Sequence, residues 1–389
     1  MNEKGIPVDT VRLGVIGVGT MGRFHLAKLG TVKNAVLTAV CDVDRARADQ
    51  VAAENRCVAY SDHQALLKDK VCDAVLIATP HYAHTSIGVD ALRAGIHVLV
   101  EKPISVHKAD CDRLIDAHRN KKQVFAAMFN QRTDPHYRKL KGLIDSGALG
   151  KLDRVTWIIT DWFRTEAYYA SGGWRATWGG EGGGVLLNQC PHNLDLWQWM
   201  FGMPQRVRGF CKLGRKHRIE VEDEVTAYLE YDNGCSGVFI SSTGEAPGTN
   251  RLEVAGENGK VVIEGGDIRF TKNEESANTF MKTTPELWSR PDVWNIGIPV
   301  SGNGGQHAAI LQNFINAIVA GEALIAPAAE GAKSVELGNA MLYSSETGKT
   351  VDLPLNGQAY ERFLKQKIKG SKFVKKHRVV KVGDINRSY

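Results

Sequence analysis

Three groups of residues have the types and spacings that could do chemistry. Asn188 and His192 stand four apart in "GGGVLLNQCPHNLDLWQW", residues 182–199. On one helix that spacing puts the amide and the imidazole on a common face, continued by Asp195 and Trp199. An imidazole titrates near neutrality without help and can take the proton of a hydroxyl. A core histidine satisfied by a neighbouring amide is the other meaning of the pair. Pro191 bears on the choice. Inside a helix it removes the bond to the Leu187 carbonyl; at the first position of a helix starting near Cys190 it leaves Asn188 on the entering loop.

The second group is Glu101-Lys102-Pro103, just past the apolar run at 96–100. In an open parallel sheet, ligands bind at that carboxyl-terminal edge of the strands. The third is Gly17-x-Gly19-x-x-Gly22, between a β-branched run and a helix-like stretch. Gly17 permits a tight turn, Gly19 lets backbone approach a pyrophosphate, and Gly22 allows helix and strand to pack closely. Thr20 and Met21 open the helix, whose unpaired N–H groups meet phosphate oxygens. Asp42 ends the second strand, 20 residues after Gly22. An acid there accepts from both adenosine ribose hydroxyls and repels a 2′-phosphate, which favours NAD over NADP. Arg45 and Arg47 stand nearby and could accommodate that phosphate.

These residues need a frame. Short apolar runs at 11–17, 35–41, 73–79, 96–100 and 123–128 alternate with helix-like stretches at 20–30, 44–55, 84–94 and 105–120, the last with Ser105 as its N-cap. Such alternation predicts a Rossmann-type, doubly wound parallel sheet covered on both faces, over residues 1–130. From 131 to 360 the pattern is α+β. Strands are expected at 152–162, 205–213, 223–231, 234–242, 250–255 and 260–270, and helices at 306–320 and 329–346. Asn233-Gly234 and Asn258-Gly259 mark hairpins. Residues 271–303, polar with Gly and Pro, read as a long loop, and 361–389 as a basic tail.

The segments GVGTMGRFH (17–25), ATPHYAH (78–84), AGIHVLVEKPIS (94–105), MFNQRTDP (128–135) and GGGVLLNQCPHNLD (182–195) occur in the order of the Gfo/Idh/MocA oxidoreductase family, which the chain resembles. The resemblance implies a dinucleotide domain followed by an open-faced, mostly antiparallel β-sheet domain. It implies NAD(P)-dependent oxidation or reduction of a sugar-like alcohol or ketone, of inositol or another cyclitol, or of a glycoside, with C3 of a glycoside as the specific expectation. It places the glycine loop, Asp42, Thr79, His84, Glu101 and Lys102 on the cofactor side. Lys102 reaches both nicotinamide ribose and substrate, and His192 is the catalytic histidine. The family often has Asp four residues before that histidine, where this chain has Asn188. A neutral amide cannot stabilise an imidazolium as a carboxylate would. Asn188 is therefore expected to orient His192 or a sugar hydroxyl. The resemblance also implies a homo-oligomer, dimer or tetramer, joined through the open sheet face.

Residues 160–184, "TDWFRTEAYYASGGWRATWGGEGGG", combine aromatics with Arg and Asp. Aromatic faces stack on pyranose rings, while Arg and Asp read hydroxyls. Asp161, Trp174 and Arg175 are candidate substrate contacts; Tyr168 and Tyr169 serve equally as contacts or as core. His25 and His97 read as packing residues of the nucleotide domain.

Composition narrows the classes. The 389 residues are 43% hydrophobic and 24% charged, as expected of a soluble two-domain enzyme. No apolar run approaches a membrane span, and the first ten residues hold no apolar core of a secretory signal, so a cytoplasmic location is expected. The seven cysteines are scattered and form no CxxC pair, which argues against disulfides and structural zinc. No His/Asp/Glu cluster has metal-ligand spacing, so no metal is expected. Net charge is +6, concentrated in 361–389, where ten Lys/Arg face two acids. Phe363, Leu364, Ile368, Phe373 and Val374 interrupt that run, which favours docking on protein over nucleic-acid binding. Two other functions fit the same residues: redox-neutral elimination or epimerisation with retained NAD, and a non-catalytic NAD-binding regulator.

Overall fold

The computed structural model describes residues 10–375. The first nine residues, where a leader would lie, and 376–389 of the basic tail fall outside them. The chain divides into two compact units, one of 1–133 with 304–335, the other of 134–303 with 336–389.

The first unit runs β1 (Val11–Ile16), α1 (Thr20–Leu29), β2 (Ala35–Cys41), α2 (Arg45–Asn55), β3 (Val58–Tyr60), α3 (His63–Lys68), β4 (Ala74–Ile77), α4 (His81–Arg93), β5 (His97–Val100), α5 (Lys108–Ala117) and β6 (Phe125–Ala127). The six strands form one sheet in the order β3-β2-β1-β4-β5-β6, every pair parallel. Strands β4 and β5 are almost wholly buried because helices cover both faces, hence their unbroken apolar sequence. The order reverses between β1 and β4, and the turn after β1 opens at that switch point. The short β3 and α3 had no expectation. Helix α5 starts at Lys108, not Ser105: Ser105 Oγ shares a hydrogen bond with Thr85 Oγ1 at 2.5 Å, and the His107 ring accepts from the Asp110 N–H at 3.3 Å as cap.

In the second unit come α6 (Pro135–Asp145), β7 (Leu152–Ile159), α7 (Glu166–Ala170), α8 (Val185–Asn188), α9 (Pro191–Phe201), β8 (Arg206–Leu213), β9 (Glu222–Glu230), β10 (Ser236–Ser242), β11 (Asn250–Gly256), β12 (Gly259–Glu264), β13 (Asp267–Asn273), α10 (Ala277–Thr283) and β14 (Val293–Ile298). Next along the chain are α11 (Gln306–Ala320), of the first unit, α12 (Ala328–Thr347), whose residues to 335 also fall in the first unit, and β15 (Val351–Asp352) and α13 (Gly357–Gly370) of the second. Nine strands make one sheet, β14-β13-β12-β11-β7-β10-β9-β8-β15, antiparallel except for β7 with β10. Burial alternates along β7 to β10. Val155, Trp157, Val225, Leu229 and Phe239 point into the core, while Phe210 and Tyr228 stay exposed on the open face.

Three expectations are corrected here. The strand expected at 260–270 is a hairpin, because Gly265 and Gly266 both take positive φ, +60° and +84°. The loop expected at 271–303 contains α10 and β14; β14 is an exposed edge strand, so burial imposes no apolar alternation on it. Residues 304–335 pack with the first unit, whereas the sequence placed them in the second. Ile310, Leu311, Phe314 and Ile315 of α11 are buried there, the Ala127 N–H donates to the Ala326 carbonyl at 3.0 Å, and Arg132 donates to the Ile325 carbonyl and to Glu330. The front of the basic tail is also structured. Helix α13 buries Tyr360 and Leu364 and sets Phe363 5.4 Å from the Tyr343 ring. No helix among the described residues is long and apolar enough to cross a membrane.

Candidate functional site

The first unit carries the dinucleotide edge. Gly17 has φ +88°, and a Cβ there would lie 2.7 Å from the Ala78 carbonyl, so no other residue fits. A Cβ on Gly22 would come within 2.0 Å of the Gly17 oxygen. Gly19 faces open space and caps α1 without any side-chain bond, which leaves the first N–H groups of Thr20 and Met21 for an anion. Asp42 is buried, and its carboxylate accepts from the N–H of Val18 and of Asp44, both at 3.0 Å. The two arginines that could hold a 2′-phosphate are occupied. Arg47 pairs with Asp42 and Asp44 at 3.1 Å, and Arg45 with Asp49 at 2.9 Å. Thr79 Oγ1 is buried beside Gly17 with no protein partner. A ligand hydroxyl or amide there would satisfy it, so these residues fit a dinucleotide.

The EKP turn is held from behind. The His84 ring spans the Pro103 and Thr79 carbonyls, 2.8 Å to each, and is fully buried. Burial keeps it below the usual imidazole range. It therefore pins the turn to the end of β4 and has no surface to offer a cofactor. Glu101 accepts from the Lys102 N–H at 2.9 Å and lies 2.5 Å from His25 Nε2. Burial alone would push the Glu101 carboxyl up, but the His25 bond and the positive charges nearby hold it at about 2. Lys102 is half-buried at the end of this turn. His97 behaves as a packing residue, its Nδ1 accepting from the Val124 N–H at 2.8 Å.

The second unit carries the histidine. Of the two arrangements the sequence allowed across 188–199, the structure has the one broken at Pro191. Asn188 ends α8, Cys190 is the N-cap of α9, and Pro191 takes its first position. Pro191 has no N–H to continue the helix, so His192 sits in the first turn of a new one, 2% exposed. The stripe from Asn188 through His192 to Trp199 is thus not one helical face. Asn188 instead joins a network. Its amide donates to Glu181, and its oxygen accepts from the Tyr168 hydroxyl and Gln189 Nε2, each at 3.1 Å. Arg175 donates to the Tyr168 oxygen at 2.7 Å, and its guanidinium lies 4.4 Å from the Tyr168 ring and 4.7 Å from that of Trp174. The carboxylate next to position 188 is Glu181, bonded to the Asn188 amide.

Sequence reasoning did not find Glu181 or Glu222. Glu181 is 1% exposed, accepts from the Ala176 N–H at 2.5 Å, and is pushed up by burial against the pull of Arg175. Glu222, fully buried, accepts from the N–H groups of Gly184 at 2.8 Å and Leu186 at 3.1 Å, and its second oxygen has no protein partner. Burial pushes it up to about 7. The signal for Glu181 was an acid enclosed by five glycines in "GGEGGG"; Glu222, in "VEDEV", had none. Asp161 stands apart, exposed after β7 with its carboxyl bonded to Asn250. Tyr169 donates to or accepts from Thr243 at 2.8 Å inside the core. A surface hollow of about 740 Å³ on α4 and α5, lined by Tyr82, Asp90, Arg93 and Arg113, includes none of these residues. Among the described residues no cluster could hold a metal ion.

Comparison with known proteins agrees with the geometry. Residues 11–129 match the model of an oxidoreductase family with an NAD-binding Rossmann fold, and residues 137–262 match the GFO/IDH/MocA C-terminal domain. Myo-inositol 2-dehydrogenase of Thermotoga maritima is 27% identical over 65% of this chain and 75% of its own length. Inositol 2-dehydrogenase of Salmonella paratyphi B is 38% identical over 36% of this chain, but the match spans only 44% of that enzyme. The crystal structure of the WlbA dehydrogenase from Chromobacterium violaceum, in complex with NADH and UDP-GlcNAcA, superposes with a TM-score of 0.77 at 26% identity, over 90% of this chain and 97% of that one.

Proposed function

Because this chain belongs to the Gfo/Idh/MocA oxidoreductase family and its first unit is an NAD-binding Rossmann domain, we propose that it is a dehydrogenase acting on a secondary hydroxyl of a sugar, glycoside or cyclitol. The observation that carries the substrate class is the Arg175–Tyr168–Asn188 network in the same unit as the buried His192. It offers aromatic faces, two amides and a guanidinium, the groups that read a polyol. The names of the relatives compared above, dehydrogenases of inositol among them, support the same class.

NAD, when bound, accepts the hydride that leaves the carbinol carbon. The glycine turn, Asp42 and Thr79 hold it. The hydroxyl proton must leave in the same step, and His192 takes it. The Lys102 ammonium, at the end of a turn fixed by Glu101 and His84, holds the oxygen as negative charge develops. Asn188, held by Glu181 and Tyr168, fixes a neighbouring sugar hydroxyl.

We also propose that the protein works as a cytoplasmic homo-oligomer. Its seven cysteines are all free, as a reducing compartment keeps them. Phe210 and Tyr228 on the open sheet face and Trp294 on its edge strand are exposed, which suits a second copy of the chain. Sedimentation would report it.

The test is absorbance at 340 nm with sugars, glycosides oxidisable at C3, and inositols, each with NAD and with NADP. Free NADH should accumulate with at least one polyol. Product without NADH would replace oxidation by a redox-neutral elimination or epimerisation. Neither product nor NADH across the panel would overturn the enzyme assignment.

A further inference from the structure

We propose that the segment after α13 supplies a substrate-facing cation, Lys375, which with Arg175 selects polyols bearing an anionic group, a carboxylate or a phosphate. This rests on the dehydrogenase assignment for the polyol and on the second unit alone for the anion.

The segment has a defined place. The Ser371 hydroxyl donates to one oxygen of Glu220, and the other oxygen accepts the Trp178 N–H at 2.9 Å. Lys367, one turn earlier, lies 5.6 Å from the Trp178 ring and pairs with Glu346. The stretch after α13 is therefore latched to residues 174–181, which hold Arg175 and Glu181. From that latch the Lys375 ammonium reaches the Arg175 carbonyl and donates to it.

The charge count is unbalanced. Arg175 lies 4.4 Å from the Tyr168 ring, and Lys375 joins it through the Arg175 carbonyl, two cations at one buried acid. Glu181 is the carboxylate facing Lys375 and Arg175, and burial works against its ionisation. Burial likewise lowers Lys375, to about 8, with the Arg175 charge adding to the effect and Glu181 opposing it. An ammonium has three N–H donors, and one carbonyl uses one of them. Arg175 Nε is buried with no protein partner. A ligand anion would keep Lys375 charged, use the remaining donors and offset the excess positive charge. A neutral polyol could accept from those donors but would not offset the charge.

The experiment is calorimetric titration of the NADH-loaded protein with D-glucose, D-glucuronate and D-glucose 6-phosphate. At least one charged sugar should bind tenfold or more tighter than glucose, and whichever charged sugar leads identifies carboxylate or phosphate. Lys375→Met should abolish that preference and Lys375→Arg should keep part of it, with NADH binding unchanged in both as evidence of a folded chain. Indistinguishable heats for all three sugars, or a preference that survives Lys375→Met, would overturn the proposal. A Lys375-dependent preference for a charged sugar, with no NADH from any polyol, would leave the anion site standing and remove the dehydrogenase assignment.

Discussion

The dinucleotide edge and the histidine region are built by different physics. The first is backbone geometry. Gly17 and Gly22 leave no room for a Cβ, Gly19 leaves α1 uncapped, and the side chains that matter are locked by short-range bonds. The second is a buried polar network. Glu181, Asn188, Tyr168 and Arg175 bond to one another from separate segments, Glu222 holds the Gly184 and Leu186 N–H groups, and both carboxyls are pushed upward by burial. An edge of the first kind should respond to added atoms and be indifferent to pH. A network of the second kind should respond to charge and to pH.

The largest effects should come from removing the groups assigned to proton and charge. Lys102→Ala and His192→Ala should each lower turnover by about 10²–10⁴, as measured by NADH formation, while NADH binding by fluorescence stays intact in the His192 variant. A His192→Ala protein with near-parental turnover would remove the imidazole from the chemistry.

Next is the pH response of the histidine region. Glu222 titrates at about 7 in the folded chain against an ordinary 4.5, so between those values the folded state holds the extra proton. Stability should therefore fall as pH rises through that window. Glu222→Gln keeps an acceptor for Gly184 and Leu186 and removes the titration. Its advantage over the parent in urea unfolding should grow between pH 5 and pH 8, by on the order of 3 kcal/mol. A difference that is flat with pH would show that Glu222 does not titrate there.

The dinucleotide edge should show the opposite behaviour. Gly17→Ala forces a Cβ against the Ala78 backbone at positive φ, at a cost of about 1–3 kcal/mol that does not change with pH. Thermal melts with and without NADH would read both the strain and the lost affinity. The smallest effect is expected from Asp42→Ala. It should weaken NAD roughly tenfold, about 1–2 kcal/mol of hydrogen bonding, and narrow the preference over NADP. Unchanged selectivity would mean that the Arg45 and Arg47 pairs, not Asp42, set it.

The same contrast explains what could be read from the chain alone. Gly17, Gly19, Gly22 and Asp42 lie within 26 residues of one another, and their roles follow from local geometry, so their positions and the parallel sheet around them were legible. Pro191 marked the helix break before α9 for the same reason. Glu222 and Lys375 act on residues 182–188 and 175 from far along the chain, and no local pattern records such a contact. Edge strand β14 was hidden because water, not a core, faces its side chains. Residues 304–335 were assigned by chain order to the later unit, although the buried face of α11 belongs to the earlier one.

The most telling measurement is turnover of the Lys102→Ala/His192→Ala double variant beside the two single ones, on a polyol from the NADH panel. If both groups serve one carbinol oxygen, the losses should fall well short of multiplying, and the double variant should be little slower than the slower single. Losses that multiply in full would mean that the amine and the imidazole do not act on the same reacting group.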